Sequence, residues 1–212
     1  MTQTKICGLS TPETVRAALD GQAAYLGFMF FGPSKRNVAL DLAGRLAEPA
    51  RNRARIVAVT VDPDDALLDA IKAALAPDFI QLHGRETPER VEAVRRRTGA
   101  GVIKALSIAE ARELDQIRPF EAVADHLMLD AKAPPGSATP GGTGAKFDWS
   151  LTAGRKFARP WLLAGGLDPW NVREAVQLSG APIVDVSSGV ERGPGLKDPS
   201  LISAFLDAVR RA

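Results

Sequence analysis

One alternation runs through this chain from end to end and limits what it can fold into. Short apolar runs alternate with segments whose apolar residues recur at three- and four-residue spacing. The apolar runs read as strands: Lys5 to Cys7, Ala24 to Phe30, Ile56 to Val61, Phe79 to Leu82, Val102 to Ala105, His126 to Asp130, Trp161 to Ala164 and Ile183 to Val186. The segments between them read as helices, over Pro12 to Leu19, Ala66 to Leu75, Pro88 to Arg97, Ala109 to Ile117, Asn171 to Leu178 and Ser200 to Val209. Ser10-Thr11-Pro12-Glu13, Thr87-Pro88-Glu89 and Asp198-Pro199 mark helix starts, with a capping residue just before proline in the first turn. Eight strand–helix units fit, at about 26 residues each, near the lower end for an α/β protein of the (β/α)8 TIM-barrel type. An open doubly wound sheet would use fewer strands and carry its Gly-rich turn after the first of them. Here the Gly-rich turns follow the sixth, seventh and eighth strands. The expectation is one (β/α)8 barrel domain over 1–212, with no linker. The irregular stretch Ala131 to Lys146 follows a strand directly and reads as an active-site loop.

Composition removes several function classes. Lys plus Arg number 27 against 25 Asp plus Glu, so charge balance makes no case for nucleic acid or membrane. Arg95-Arg96-Arg97 reads as the solvated end of a helix, where cations suit the macrodipole. No apolar run approaches the roughly 20 residues that span a bilayer, and no signal-peptide pattern opens the chain, so a cytoplasmic location is expected. His83 and His126 are the only histidines and stand in no metal-ligand spacing.

The candidate chemistry lies at strand ends. Cys7, the single cysteine, closes the first strand. It cannot form an internal disulfide, and taken alone it reads as a core residue. Asp130 closes the sixth strand. In a closed parallel barrel both would open on one face, giving a base and an acid across a pocket. Leu163-Ala164-Gly165-Gly166-Leu167-Asp168-Pro169 runs from strand to glycines to helix start, and Asp185-Val186-Ser187-Ser188-Gly189 ends a strand in small hydroxyl residues. Gly165, Gly166, Ser187, Ser188 and Gly189 therefore form a candidate phosphate cradle. Asp185 would face the pocket and hold substrate hydroxyls. Arg36 can fork onto a carboxylate or stand as an ordinary loop arginine. His83 is a polar wall of the pocket or a hydrogen-bonded structural histidine.

The ordered set Lys5-Ile6-Cys7-Gly8-Leu9, Gly27-Phe28, Ser34-Lys35-Arg36, Gln81-Leu82-His83-Gly84 and Leu129-Asp130 continues through the rest of the chain. It adds Gly141-Gly142-Thr143-Gly144, Phe147-Asp148-Trp149, Ala164-Gly165-Gly166-Leu167, Asn171-Val172, Asp185 to Glu191, Gly195 and Lys197-Asp198. This set resembles the phosphoribosylanthranilate isomerases of tryptophan biosynthesis over nearly the whole chain. The resemblance implies a cofactor-free barrel isomerase that performs an Amadori rearrangement of N-(5-phosphoribosyl)anthranilate to 1-(2-carboxyphenylamino)-1-deoxyribulose 5-phosphate. It implies Cys7 as general base, Asp130 as general acid, Arg36 on the anthranilate carboxylate and the late glycine loops on phosphate. The implied partner is the small phosphoribosyl substrate, in a monomer or homodimer.

Two rivals remain at this level. The isomerase of histidine biosynthesis works on a related two-phosphate substrate and uses a carboxylate where Cys7 stands. A non-catalytic phosphate-ligand binder on the same scaffold needs neither Cys7 nor Asp130. A metal-dependent sugar-phosphate epimerase would need more histidines at strand ends.

Overall fold

The computed structural model describes residues 1–132, 136–137, 141 and 147–212. Eight parallel strands close into a barrel in the order β1 to β8: Gln3–Cys7, Tyr25–Phe30, Arg55–Thr60, Phe79–Leu82, Gly101–Ile108, His126–Ala131, Trp161–Leu163 and Ile183–Val186. Each parallel step needs a crossover, and the amphipathic segments supply it. Helices α1 to α7 span Pro12–Asp20, Leu40–Ala47, Asp65–Leu75, Pro88–Thr98, Arg118–Glu121, Val172–Ser179 and Pro199–Arg210. The three expected caps form: Thr11 accepts from the Thr14 N–H, Thr87 from Arg90, and Asp198 from Ser200 and Leu201. Each such cap stabilises its helix by about 1 kcal/mol.

Alternate strand residues face two separate apolar spaces. Ile6, Leu26, Ile80, Leu127, Leu129 and Val184 point outward and pack under the helices. Cys7, Val57, Ile103, Met128, Leu162 and Ile183 point into the barrel. A strand buried on both faces must be apolar throughout, which is why the strands read as continuous runs. At the N-terminal end of the barrel, Tyr25, Phe79 and His126 form an aromatic plug with ring centroids 4.9–6.1 Å apart. The C-terminal ends of the eight strands open on the opposite face.

Five features depart from the sequence-based expectation. The segment expected as one helix over Ala109 to Ile117 is a 3-10 turn over Ala111–Ile117, followed by the short α5. Pro119 sits where a continuous helix would need its N–H. Between β6 and β7 the described residues hold only a 3-10 turn, Trp149–Thr152, in place of an eighth α-helix. Gly154, at φ +70°, and Pro160 leave no room for one before β7 begins. Helix α2 had no sequence-based counterpart, nor had the antiparallel hairpin of β9 (Glu191–Gly193) and β10 (Leu196–Lys197). The Arg95-Arg96-Arg97 run is more than a solvated helix end. Arg97 reaches Asp65 and Asp69 on α3 at 2.8 and 2.6 Å, lacing α3 to α4.

The stretch Ala131 to Lys146, expected as an active-site loop, lies largely outside the described residues. Of its described residues, Gly141 packs against the Asp130 side chain.

Candidate active site

Cys7 ends β1 with its side chain in the barrel, 5% exposed. Two residues earlier on the same face is Lys5, fully buried, whose Nζ donates to Asp185 Oδ1 at 2.7 Å. The two are directly opposite in the β1–β8 register. Asp185 thus faces the interior as expected, but one of its oxygens is taken by this ammonium rather than left for a ligand. Gly27 stands beside Cys7 on β2. A Cβ at Gly27 would lie 3.3 Å from both Cys7 Sγ and Lys5 Nζ, so thiol and ammonium flank one gap. Burial pushes the Cys7 thiol above its ordinary range. Lys5 and, more weakly, Lys197 pull it down, and the Asp185 charge pushes it up.

A second set of charges rims the mouth next to Cys7. Gly8, at φ +78°, leaves the space in which the Arg36 side chain lies, since a Cβ there would meet Arg36 Cδ at 2.8 Å. The Arg36 guanidinium forks onto Glu191, Nε to Oε1 at 2.7 Å and Nη2 to Oε2 at 2.9 Å. Lys197, on β10, pairs with the same carboxylate and donates to the Ser187 carbonyl at 3.1 Å and hydroxyl at 3.3 Å. The Ser187 hydroxyl donates in turn to the Cys7 carbonyl at 3.3 Å. Arg36 and Lys197 hold the Glu191 carboxyl below its usual range, against the opposing pull of desolvation. The hairpin of β9 and β10 is what carries Glu191 and Lys197 to this rim.

Asp130 is the penultimate residue of β6, also inward and 5% exposed. Its Oδ2 lies 3.1 Å from His83 Nε2, and His83 Nδ1 lies 3.0 Å from the Gln81 side-chain nitrogen. With Gln81 donating to Nδ1, the imidazole carries its hydrogen on Nε2, toward Asp130. Both ring nitrogens of His83 are thus engaged, one by Gln81 and one by Asp130. Gly141 seals this corner: a Cβ there would stand 2.7 Å from Asp130 Oδ2 and 2.9 Å from His83 Nε2.

The late glycines make close approaches. Gly165 and Gly166 adopt φ +93° and +66°, and a Cβ on Gly165 would meet the Ala131 N at 2.6 Å. A Cβ on Gly189 would stand 1.9 Å from the Leu167 carbonyl oxygen, so the loops after β7 and β8 interlock. Ser188 and Gly189 form one half-buried turn beside Ser187. Residues far apart in sequence thus gather at one mouth: Cys7, Arg36 and Ser187 in one set, His83 and Asp130 in another.

Comparison with known proteins meets this arrangement. Residues 4–208 match the family model for N-(5'phosphoribosyl)anthranilate (PRA) isomerase. The chain belongs to this isomerase family. It is 65% identical over 209 residues to the N-(5'-phosphoribosyl)anthranilate isomerase of Caulobacter vibrioides, covering 98% of this chain and 95% of that one. The Paramagnetospirillum magneticum enzyme is 50% identical over 208 residues, covering 98% and 97%. Among solved structures, phosphoribosyl anthranilate isomerase from Thermotoga maritima superposes with TM-score 0.88 at 30% identity, each chain covered in full. Another family structure, in complex with reduced 1-(o-carboxyphenylamino)-1-deoxyribulose 5-phosphate, gives 0.86 at 29%, again with full coverage.

Within this family fold the sequence reading had assigned no role to Lys5, Gln81, Glu191 or Lys197. For Lys5 a signal was present. It stands two residues before Cys7, hence on the same strand face, and a charge inside a barrel requires a partner.

Proposed function

We propose that this isomerase converts N-(5-phosphoribosyl)anthranilate to 1-(2-carboxyphenylamino)-1-deoxyribulose 5-phosphate, with Asp130 as general acid and Cys7 as general base. The observation that carries the assignment is the placement of one ionisable thiol and one carboxyl at the same barrel mouth. Each is buried, and each is backed by a polar partner, Lys5 or His83.

Asp130 gives a proton to the furanose ring oxygen. The C1–O bond breaks, and the anthranilate nitrogen lone pair forms the C1=N bond of a Schiff base. Cys7 as thiolate takes the proton from C2. That electron pair becomes the C1=C2 bond, and nitrogen regains its lone pair. The resulting enolamine gains a proton at C1 and loses one from the C2 hydroxyl, which leaves the ketone. Atoms are conserved throughout, as an isomerisation requires. The His83 Nε2–H suits the carboxylate that remains once Asp130 has released its proton.

Arg36, steered by Glu191, receives the anthranilate carboxylate at the rim. The Gly165-Gly166 turn and the Ser187 to Gly189 turn take the phosphate through backbone N–H groups. Asp185 contributes to the polar floor through Lys5. A cytoplasmic location and a monomeric or homodimeric state go with this reading. A turnover assay with the aminoaldose tests it. Conversion to the aminoketose is expected, whereas phosphate-ligand binding without turnover would make the protein a binder.

A further inference from the structure

We propose that Lys5, held by Asp185 in the gap beside Gly27, is the positioning cation that stabilises the Cys7 thiolate as it forms, offsetting part of the cost of ionising a buried thiol. The inference rests on Cys7 being the base and goes beyond it, because it names what lets a buried thiol act as one.

The geometry supports it in three ways. Lys5 and Cys7 lie two apart on one inward strand face, and the lysine side chain rises from the layer below to bring its ammonium beside the thiol at Gly27. Asp185, opposite Lys5 in register, fixes the ammonium at 2.7 Å and keeps it charged inside the barrel. Gly27 supplies the gap, since a side chain there would press on Sγ and Nζ together at 3.3 Å each.

The surrounding charges point the same way. The groups facing Cys7 from the packed elements are Lys5 on β1, Asp185 on β8, Lys197 on β10 and Arg36 on the loop after β2, with Glu191 on β9 binding the last two. His83, just after β4, and Asp130, on β6, face the mouth. In the Cys7 set, three cations meet two carboxylates. Of the cations, Lys5 acts most strongly on Cys7 and is the most deeply buried, so bulk water screens it least.

Because Cys7 is the only cysteine, its ionisation can be read without labelling. The experiment titrates the ultraviolet absorbance of the thiolate in the intact protein, with Cys7→Ser as the blank. In Lys5→Met the midpoint should rise by about 1–3 pH units, the size expected from losing a nearby opposite charge. In Asp185→Asn it should fall, because an opposing negative charge is gone while the ammonium remains. The acid limb of kcat/KM should follow the thiol midpoint in both. Should Lys5→Met fail to fold, the Lys5→Met/Asp185→Asn double variant removes the pair as a unit and should still shift the midpoint upward. Gly27→Ala should disturb the midpoint without changing any charge. Midpoints that stay fixed, or that move in the same direction in the Lys5 and Asp185 variants, would show a purely structural pair and overturn the proposal. Failure of the underlying reading looks different: Cys7→Ser would keep its turnover, whatever the thiol titration showed.

Discussion

Two of the buried lysine–carboxylate pairs among the described residues, Lys104–Glu86 and Lys5–Asp185, are built differently. Behind the loop after β4, Lys104 Nζ donates to Glu86 Oε2 at 2.7 Å, to the Gly84 carbonyl at 2.9 Å and to the Leu82 carbonyl at 3.3 Å. Glu86 accepts from the backbone N–H groups of Gly84 and Asp62 as well. Three acceptors match the three ammonium hydrogens, so this pair is fully used in holding the loop that presents His83. Lys5 has one carboxylate partner, and its remaining influence falls on Cys7. A pair closed on itself and on backbone does architecture. A pair with capacity directed at a titratable neighbour can do chemistry.

That contrast can be broken most severely at the groups the pairs serve. Cys7→Ser should lose nearly all turnover and Asp130→Asn about 10²–10⁴-fold in kcat, with melting temperatures close to wild type. Steady-state kinetics beside thermal unfolding would check this, and ordinary turnover in either variant would sink its assigned role. A hydroxyl is far harder to ionise than a thiol, and an amide cannot supply the acid proton.

Lys104→Met should act on the fold instead. Removing one partner strands Glu86 as a buried, uncompensated charge, at a cost of about 3–5 kcal/mol in urea unfolding. A variant of wild-type stability would mean that the loop does not depend on the pair. Any kinetic loss should track the unfolded fraction, unlike the pH-profile change expected at Lys5.

The pH dependence of the wild-type enzyme gives a milder handle. Burial pushes the Cys7 thiol above its ordinary range. The base is the deprotonated form, so kcat/KM should climb with pH, approaching about tenfold per unit well below the Cys7 midpoint. A flat profile through the neutral range would remove Cys7 ionisation from the rate law.

Arg36→Met should produce the smallest change in kcat, with KM rising about tenfold or more as a charge-assisted bond is lost in ground and transition states alike. An unchanged KM would take Arg36 out of the substrate contacts. A lowered kcat would instead mean that releasing Glu191 had disturbed Lys197 and, through Ser187, the backbone at Cys7.

Legibility from the sequence followed the range of the forces involved. The strand at Phe79–Leu82 was read to the residue because a buried strand must be apolar and its neighbours are turn-formers. Helix α2 was missed, and Gly44 at its centre argues against it on propensity. In the fold that glycine is required, because a Cβ there would stand 2.7 Å from the Ala74 carbonyl oxygen of α3. Tertiary packing overrode the local preference. The hairpin that brings Glu191 and Lys197 to the mouth was equally hidden, since its value lies in contacts with Arg36 and Ser187 rather than in its own pattern.

By itself the sequence determined the strand–helix alternation, the placement of Cys7 and Asp130 at strand ends, and the late glycine turns. These depend on side-chain period and turn chemistry, which act over a few residues. Only the tertiary structure decided that Lys5 pairs with Asp185 across 180 positions of sequence, that Gly27 opens the gap beside Cys7, and that His83 belongs to Asp130. Barrel closure and strand register set those neighbours. A one-residue shift of register would turn Lys5 and Cys7 outward under the helices, carrying the same sequence with no site.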